Sequence, residues 1–131
     1  MRLLLDTHIW LWSLLAPSRL TKRVIREIER EDSELWLSPI SVWELLNLVD
    51  RGRVRLASSP DEWAEEALRR VPLHEAPVTN EVALETRNVK LSHRDPADRF
   101  LVATARVFDL KLVTADERLI DLADVPTLAN R

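Results

Sequence analysis

Asp6 closes the apolar run RLLL, and Asp116 closes KLVTA, so two strand-like segments each deliver a carboxylate at their C-terminal ends. Glu44 stands in the strongly apolar stretch SVWELL, and Asp95 and Asp98 stand three apart in HRDPADRFL. In an open parallel sheet, sites form at the carboxyl ends of the strands, where the strand order reverses. Acids from separate segments that meet at such an edge repel one another, and their pKa values rise unless a cation is bound. Hard oxygen donors, with no cysteine and no histidine pair at ligand spacing, favour Mg²⁺ or Mn²⁺ over zinc. That chemistry suits phosphodiester hydrolysis, in which metal activates water, neutralises the non-bridging oxygens and stabilises the departing alkoxide. The hydroxyls of Thr7, Ser41 and Thr114 adjoin these acids and can orient water or phosphate. Arg94 and Arg99 flank Asp95 and Asp98, either as a bidentate phosphate clamp or as ion-pair partners of those acids.

Every one of these acids also has a purely structural reading. Ser41 and Glu44 have the spacing of a capping box. Asp95 before Pro96 suits a helix N-cap, with Asp98 at the third helical position, where the helix dipole favours it. Asp6 and Asp116 can cap the helices that follow their strands. His8 lies near Asp6 and His93 near Asp95, but a metal-bound water makes a histidine base unnecessary, and structural roles are expected for both. His74 falls in a loop and takes no role. Trp10, Trp12, Trp36 and Trp43 sit in apolar segments and read as core or dimer contacts. Trp63, on a charged helix, reads as the exposed one.

The elements that must position these groups alternate between strand-length apolar runs and helix-length periodic segments, the pattern of a parallel sheet covered on both faces. Residues 2–5 read as the first strand, followed by the apolar helix THIWLWSLLA, stopped by Pro17. Ser18 is expected to cap a second helix, with Leu20, Val24, Ile25 and Ile28 on one face. ELWLS reads as a strand, and SPISVWELLNLVDRG as a helix starting at Ser38 or Ser41 and ending at Gly52, the only glycine. Ser59, Pro60 and Glu62 open another helix. A short strand is expected within 71–78, then helices over TNEVALETRNVKL and DPADRFLVATARVFDL. A strand at KLVTA, a short helix at DERLIDLA and an edge strand at VPTLA complete the pattern.

The 131 residues are expected to form one α/β domain, with no internal repeat or linker. The 46% hydrophobic and 31% charged composition is that of a globular chain rather than a disordered one. With no cysteine, there is neither a disulfide framework nor thiolate chemistry, which fits a reducing cytoplasm. Asp6 and His8 break the first apolar run, APSRL is a poor cleavage site, and nothing approaches the roughly 18 apolar residues of a membrane span. The net charge of −3 argues against a nucleic-acid coat or clamp, which binds phosphates through surplus lysine and arginine. Any meeting with nucleic acid should be brief, or should run through metal held by the carboxylates.

LLLDTHIWLW, SPISVWELL, HRDPADRFLVATA and LVTAD, in this order, resemble the PIN-domain nucleases, in particular the VapC-like toxins of bacterial toxin–antitoxin pairs. The resemblance runs from Arg2 to about Leu119. It implies a three-layer α/β/α fold around a mostly parallel sheet of four or five strands, in the order 3-2-1-4-5. It also implies a homodimer and Mg²⁺- or Mn²⁺-dependent endoribonuclease activity, held in check by a cognate antitoxin. The family's acidic positions fall on Asp6, Glu44, Asp98 and Asp116, and Thr114 matches the hydroxyl that accompanies the last acid. Asp95 matches a frequent further acid, read here as a cap first and a site residue second. By the same resemblance, the antitoxin threads a helix into an apolar groove and projects an arginine at the acids.

Other functions fit less well. A receiver domain needs a phospho-accepting Asp after its middle strand and a Lys after the last strand of the pocket; ELWLS and LHEAPV offer no acceptor, and LVTAD places Asp where Lys belongs. An aspartyl phosphatase needs a second acid two residues after the first, and DTH has His8 there. A DNA-structure nuclease of the same fold normally carries additional acids and gripping insertions that this chain is too short to hold.

Overall fold

A computed structural model describes residues 1–91, 94–122 and 125–131. Five strands form one sheet: β1 (Arg2–Leu5), β2 (Glu34–Leu37), β3 (His74–Glu75), β4 (Lys111–Thr114) and β5 (Thr127–Ala129). Their spatial order is β3-β2-β1-β4-β5, and every neighbouring pair is parallel. The three-layer architecture and strand order expected from the sequence are therefore present. β1 lies at the centre with both faces covered, which is why it reads as an unbroken leucine run.

Side-chain alternation divides the core in two. Leu3 and Leu5 of β1, Leu37 of β2 and Val113 of β4 pack with α1 (Thr7–Leu15), α2 (Lys22–Glu29), α3 (Pro39–Asp50) and α4 (Pro60–Arg70). Leu4 and Leu112 face the other way, against α5 (Asn80–Glu85), α6 (Pro96–Phe108) and α7 (Glu117–Ile120). The chain takes its first crossovers to one side of β1 and its last to the other. The strand order thus reverses at β1, opening a crevice between the C-terminal ends of β1 and β4.

Two helix boundaries differ from the sequence reading, and in α3 the choice between Ser38 and Ser41 falls to Ser38. Ser18 does not cap the second helix: Pro17–Arg19 form a 3-10 turn, and the Thr21 hydroxyl accepts from the Val24 N–H. Leu20 must drop into the core, and its extended backbone (φ −88°, ψ 139°) delays the helix until Thr21. In α3 the cap is Ser38, whose hydroxyl accepts from Ile40 N–H, with Pro39 in the first turn. The helix expected over 79–91 is short, because Thr86–Asn88 tighten into a 3-10 turn.

Tryptophan exposure departs from expectation at Trp63, while Trp10 is buried as expected and the exposed Trp43 keeps only its reading as a dimer contact. Trp63 is half-buried, edge-on to Trp10 at 6.1 Å, whereas Trp43 is 54% exposed. The α3 stripe that faces inward runs through Ser41, Glu44 and Leu45, and this turns Trp43 outward.

At the end of α3, Gly52 adopts φ 71°, with Gly52 N–H bonded to Val49 O and Arg53 N–H to Leu48 O, a Schellman closure. A Cβ at Gly52 would meet no atom within 4 Å, so replacing it tests backbone strain alone. Gly52→Ala is expected to cost about 1 kcal/mol of stability, read as a lowered urea midpoint with an unchanged m-value.

Candidate active site

The site begins with Asp6. Its N–H donates to Val113 O at 3.1 Å, extending the β1–β4 ladder one residue past the strand. Because Leu5 pairs with Val113 in register, Asp6 falls beside Thr114, and the Thr114 hydroxyl donates to Asp6 Oδ2 at 2.5 Å. Asp6 Oδ1 accepts from Ile9 N–H at 2.9 Å and so caps α1. The capping role is real, and the same residue lines the crevice. The Thr114 hydroxyl also accepts from Asp116 N–H at 3.0 Å, joining the two strand-end acids through one buried oxygen.

Glu44 approaches from α3. The Thr7 hydroxyl, 2.9 Å from that of Ser41, donates to Glu44 Oε1 at 2.5 Å. Thr7 and Ser41 are buried, so this pair of hydroxyls locks the start of α1 to the first turn of α3. With Ser38 as the cap, Glu44 is not part of a capping box. Asp95 does cap α6, accepting from Ala97 N–H at 3.0 Å, and Asp98 lies in the first turn of that helix. Asp116 caps the four-residue α7 through Arg118 N–H.

These groups line one cleft of about 290 Å³, bounded by Asp6, Thr7, His8, Trp12, Glu44, Asp95, Asp98 and Asp116. All four strand- and helix-borne acids singled out in the sequence are there, with Asp95. Thr114 stands behind the acids as a hydrogen-bonding partner of Asp6 and Asp116, and Ser41 as a partner of Thr7. Arg99 is not brought to the cleft: its Nη1 donates to Val89 O at 2.6 Å and Thr86 O at 3.3 Å, pinning the 3-10 turn to α6. Arg94 is exposed, and His93 lies outside the described residues. His8 is exposed at the rim, its ring 5.8 Å from that of Trp12.

Arg118 was not singled out from the sequence. Its Nε and Nη2 grip Asp116 Oδ1 and Oδ2 at 3.0 and 2.8 Å, and Nη2 lies 3.9 Å from Asp98 Oδ2. Two residues past Asp116, its reach depends on how short α7 is, and nothing in ADERL announces that.

Burial holds the Asp6 carboxyl above its ordinary range, against the hydrogen bonds from Thr114 and Ile9 that favour its charge. Burial also raises Glu44, to about 6, opposed by the Thr7 hydrogen bond and reinforced by Asp95, Asp98 and Asp6. Among the described residues, no three carboxylate or imidazole groups converge as a preformed cation site. Thr7, Thr114 and Arg118 each hold an acid instead. The donor chemistry nonetheless suits a hard divalent cation: all-oxygen, buried at its centre, and carrying more negative charge than it can ionise comfortably.

Glu44 also makes metal-free stability depend on pH. Between about 4.5 and 6 the folded protein retains a proton that the unfolded chain has released, so stability falls as pH rises through that window. Glu44→Gln keeps an acceptor for Thr7 and removes the penalty. The metal-free variant should melt roughly 2–4 °C above wild type at pH 7.5, and without that gain at pH 4, by circular dichroism.

Comparisons with known proteins agree with this geometry. The profile of the PIN domain matches residues 3–125. Ribonuclease VapC22 of Mycobacterium tuberculosis is 35% identical over 119 residues, 88% of each chain. Among solved structures, VapBC2 from Rickettsia felis, bound to a DNA fragment from its promoter, superposes with a TM-score of 0.73 at 13% identity, covering 98% of both chains. DNA-bound VapBC from Salmonella typhimurium gives 0.70 at 15% identity, covering 100% of this chain and 99% of that one. At such identities the structures speak for the fold, while the profile and the curated relative speak for descent. The chain belongs to the PIN-domain family.

Proposed function

We propose that this protein is a metal-dependent endoribonuclease, the toxin of a toxin–antitoxin pair, acting in the cytoplasm as a homodimer of single-domain chains. The observation that carries the reading is the cleft itself. Asp6, Glu44, Asp98 and Asp116 arrive from four different elements at the edge where the strand order reverses. These four would hold Mg²⁺ or Mn²⁺. A bound ion there supplies Lewis acidity toward a phosphodiester and lowers the pKa of water.

The chain's own groups do the rest. Thr114 and the α1 N-terminus orient Asp6, and Thr7 orients Glu44, so both carboxylates are held in fixed positions before substrate arrives. Asp95 secures the N-terminus of α6 and with it Asp98. The protein's negative charge and the acidic floor leave little affinity for RNA without a cation, which makes the metal part of substrate binding.

The relationship to a ribonuclease VapC supports RNA as substrate, and the likeness to VapBC assemblies supports an antitoxin partner. An apolar groove of about 520 Å³, lined by Val42, Trp43, Leu46 and Leu68, is suited to an amphipathic helix of that partner.

Purified, antitoxin-free protein should cut end-labelled total tRNA into discrete fragments with Mn²⁺ or Mg²⁺, and not with chelator. Asp6→Asn and Asp98→Asn should each lower the rate at least about 100-fold, since even residues behind metal ligands typically cost 10–100-fold. Asparagine still caps α1, so the Asp6 variant should keep the wild-type circular dichroism spectrum. Cleavage at the wild-type rate by either variant refutes the assignment.

A further inference from the structure

We propose that Arg118 is a resident counter-cation of the cleft that exchanges its carboxylate partners for a substrate phosphate when a divalent cation binds. The inference rests on the ribonuclease reading and goes beyond it by giving the substrate phosphate a protein partner.

Three contacts carry it. The guanidinium grips both oxygens of Asp116 at 2.8 and 3.0 Å and reaches Asp98 at 3.9 Å, so it touches two of the four proposed ligands. Both acids are far less exposed than the arginine, at 25% and 13% against 52% for its side chain. The positive charge thus enters from the solvent side and rests on carboxylates rooted in the cleft. A planar fork that fits a carboxylate fits a phosphate equally well, since both offer paired oxygens at matching spacing.

The exchange follows from charge. A divalent cation at these carboxylates neutralises what Arg118 now neutralises, and the ion pair, exposed on the arginine side, is weak enough to give way. Once displaced, Arg118 stays tethered at the cleft mouth by its position two residues after Asp116. From there it faces the side on which an RNA backbone must approach the acids. Arg99, the other guanidinium close to these acids in the sequence of α6, is committed to the backbone carbonyls of Thr86 and Val89.

Two measurements test this together. In Mn²⁺ titrations of the folded protein without RNA, Arg118→Ala should bind Mn²⁺ about two- to fivefold more tightly than wild type, because the competing surface ion pair is gone. With Mn²⁺ saturating, the same variant should show a roughly tenfold higher KM for RNA, the loss of one charge-assisted phosphate contact. Arg118→Lys should restore part of the KM, keeping the charge but not the fork. Arg69→Ala, which removes a surface charge on α4, controls for net charge and should change neither quantity.

Unchanged or weaker Mn²⁺ binding by Arg118→Ala would overturn the counter-cation role, and an unchanged KM would overturn the phosphate role. Failure of the underlying reading looks different: wild-type Mn²⁺ affinity would then be indifferent to Asp98→Asn.

Discussion

The parallel register of β1 against β4 is the constraint on which the site depends. Pairing Leu5 with Val113 places Asp6 beside Thr114, and the Thr114 hydroxyl then joins Asp6 to the backbone of Asp116. A slip of one residue would turn the alternating leucines of β1 to the wrong faces and carry Asp6 away from its donor. The hydrophobic core therefore enforces the geometry of the polar cleft. Leu3, Leu4 and Leu5, packed on both sides of the sheet, leave Asp6 no alternative position.

Holding acids this way costs stability. Asp6 is only 8% exposed and Glu44 is pressed by three neighbouring carboxylates, so the metal-free protein keeps charge where water would solvate it better. Buried hydroxyls offset part of the cost: Thr7 and Thr114 donate to the two acids most affected. The arrangement is electrostatically unfinished without a cation, and Arg118 offsets the deficit at the outer edge, on Asp116 and Asp98.

Capping and chemistry do not compete here. Asp6, Asp95 and Asp116 each close a helix N-terminus, and all three face the same cleft. In a parallel α/β sheet the helix that follows a strand starts at the strand's C-terminal end, which is also where the crevice opens. A residue that caps such a helix is already at the edge of the site. Aspartate serves both ends because a carboxylate has two oxygens and several lone pairs: Asp6 accepts from Ile9 N–H on one oxygen and from the Thr114 hydroxyl on the other.

The sequence by itself determined the strands, the α/β alternation and the acids at Asp6, Glu44, Asp98 and Asp116, because apolar runs and helical periodicity are local patterns and the acids interrupt them visibly. It also determined the caps at Ser59 and Asp95, which depend only on neighbours in the chain. The tertiary structure decided what depends on packing between distant segments. Leu20 had to reach the core, which moved the second helix start from Ser18 to Thr21. The inward stripe of α3 turned Trp43 out, and the Thr86–Val89 carbonyls drew Arg99 away from the acids. Arg118 was hidden for the same reason: a side chain's direction is set by what lies across the fold from it, and the linear order of residues does not carry that information.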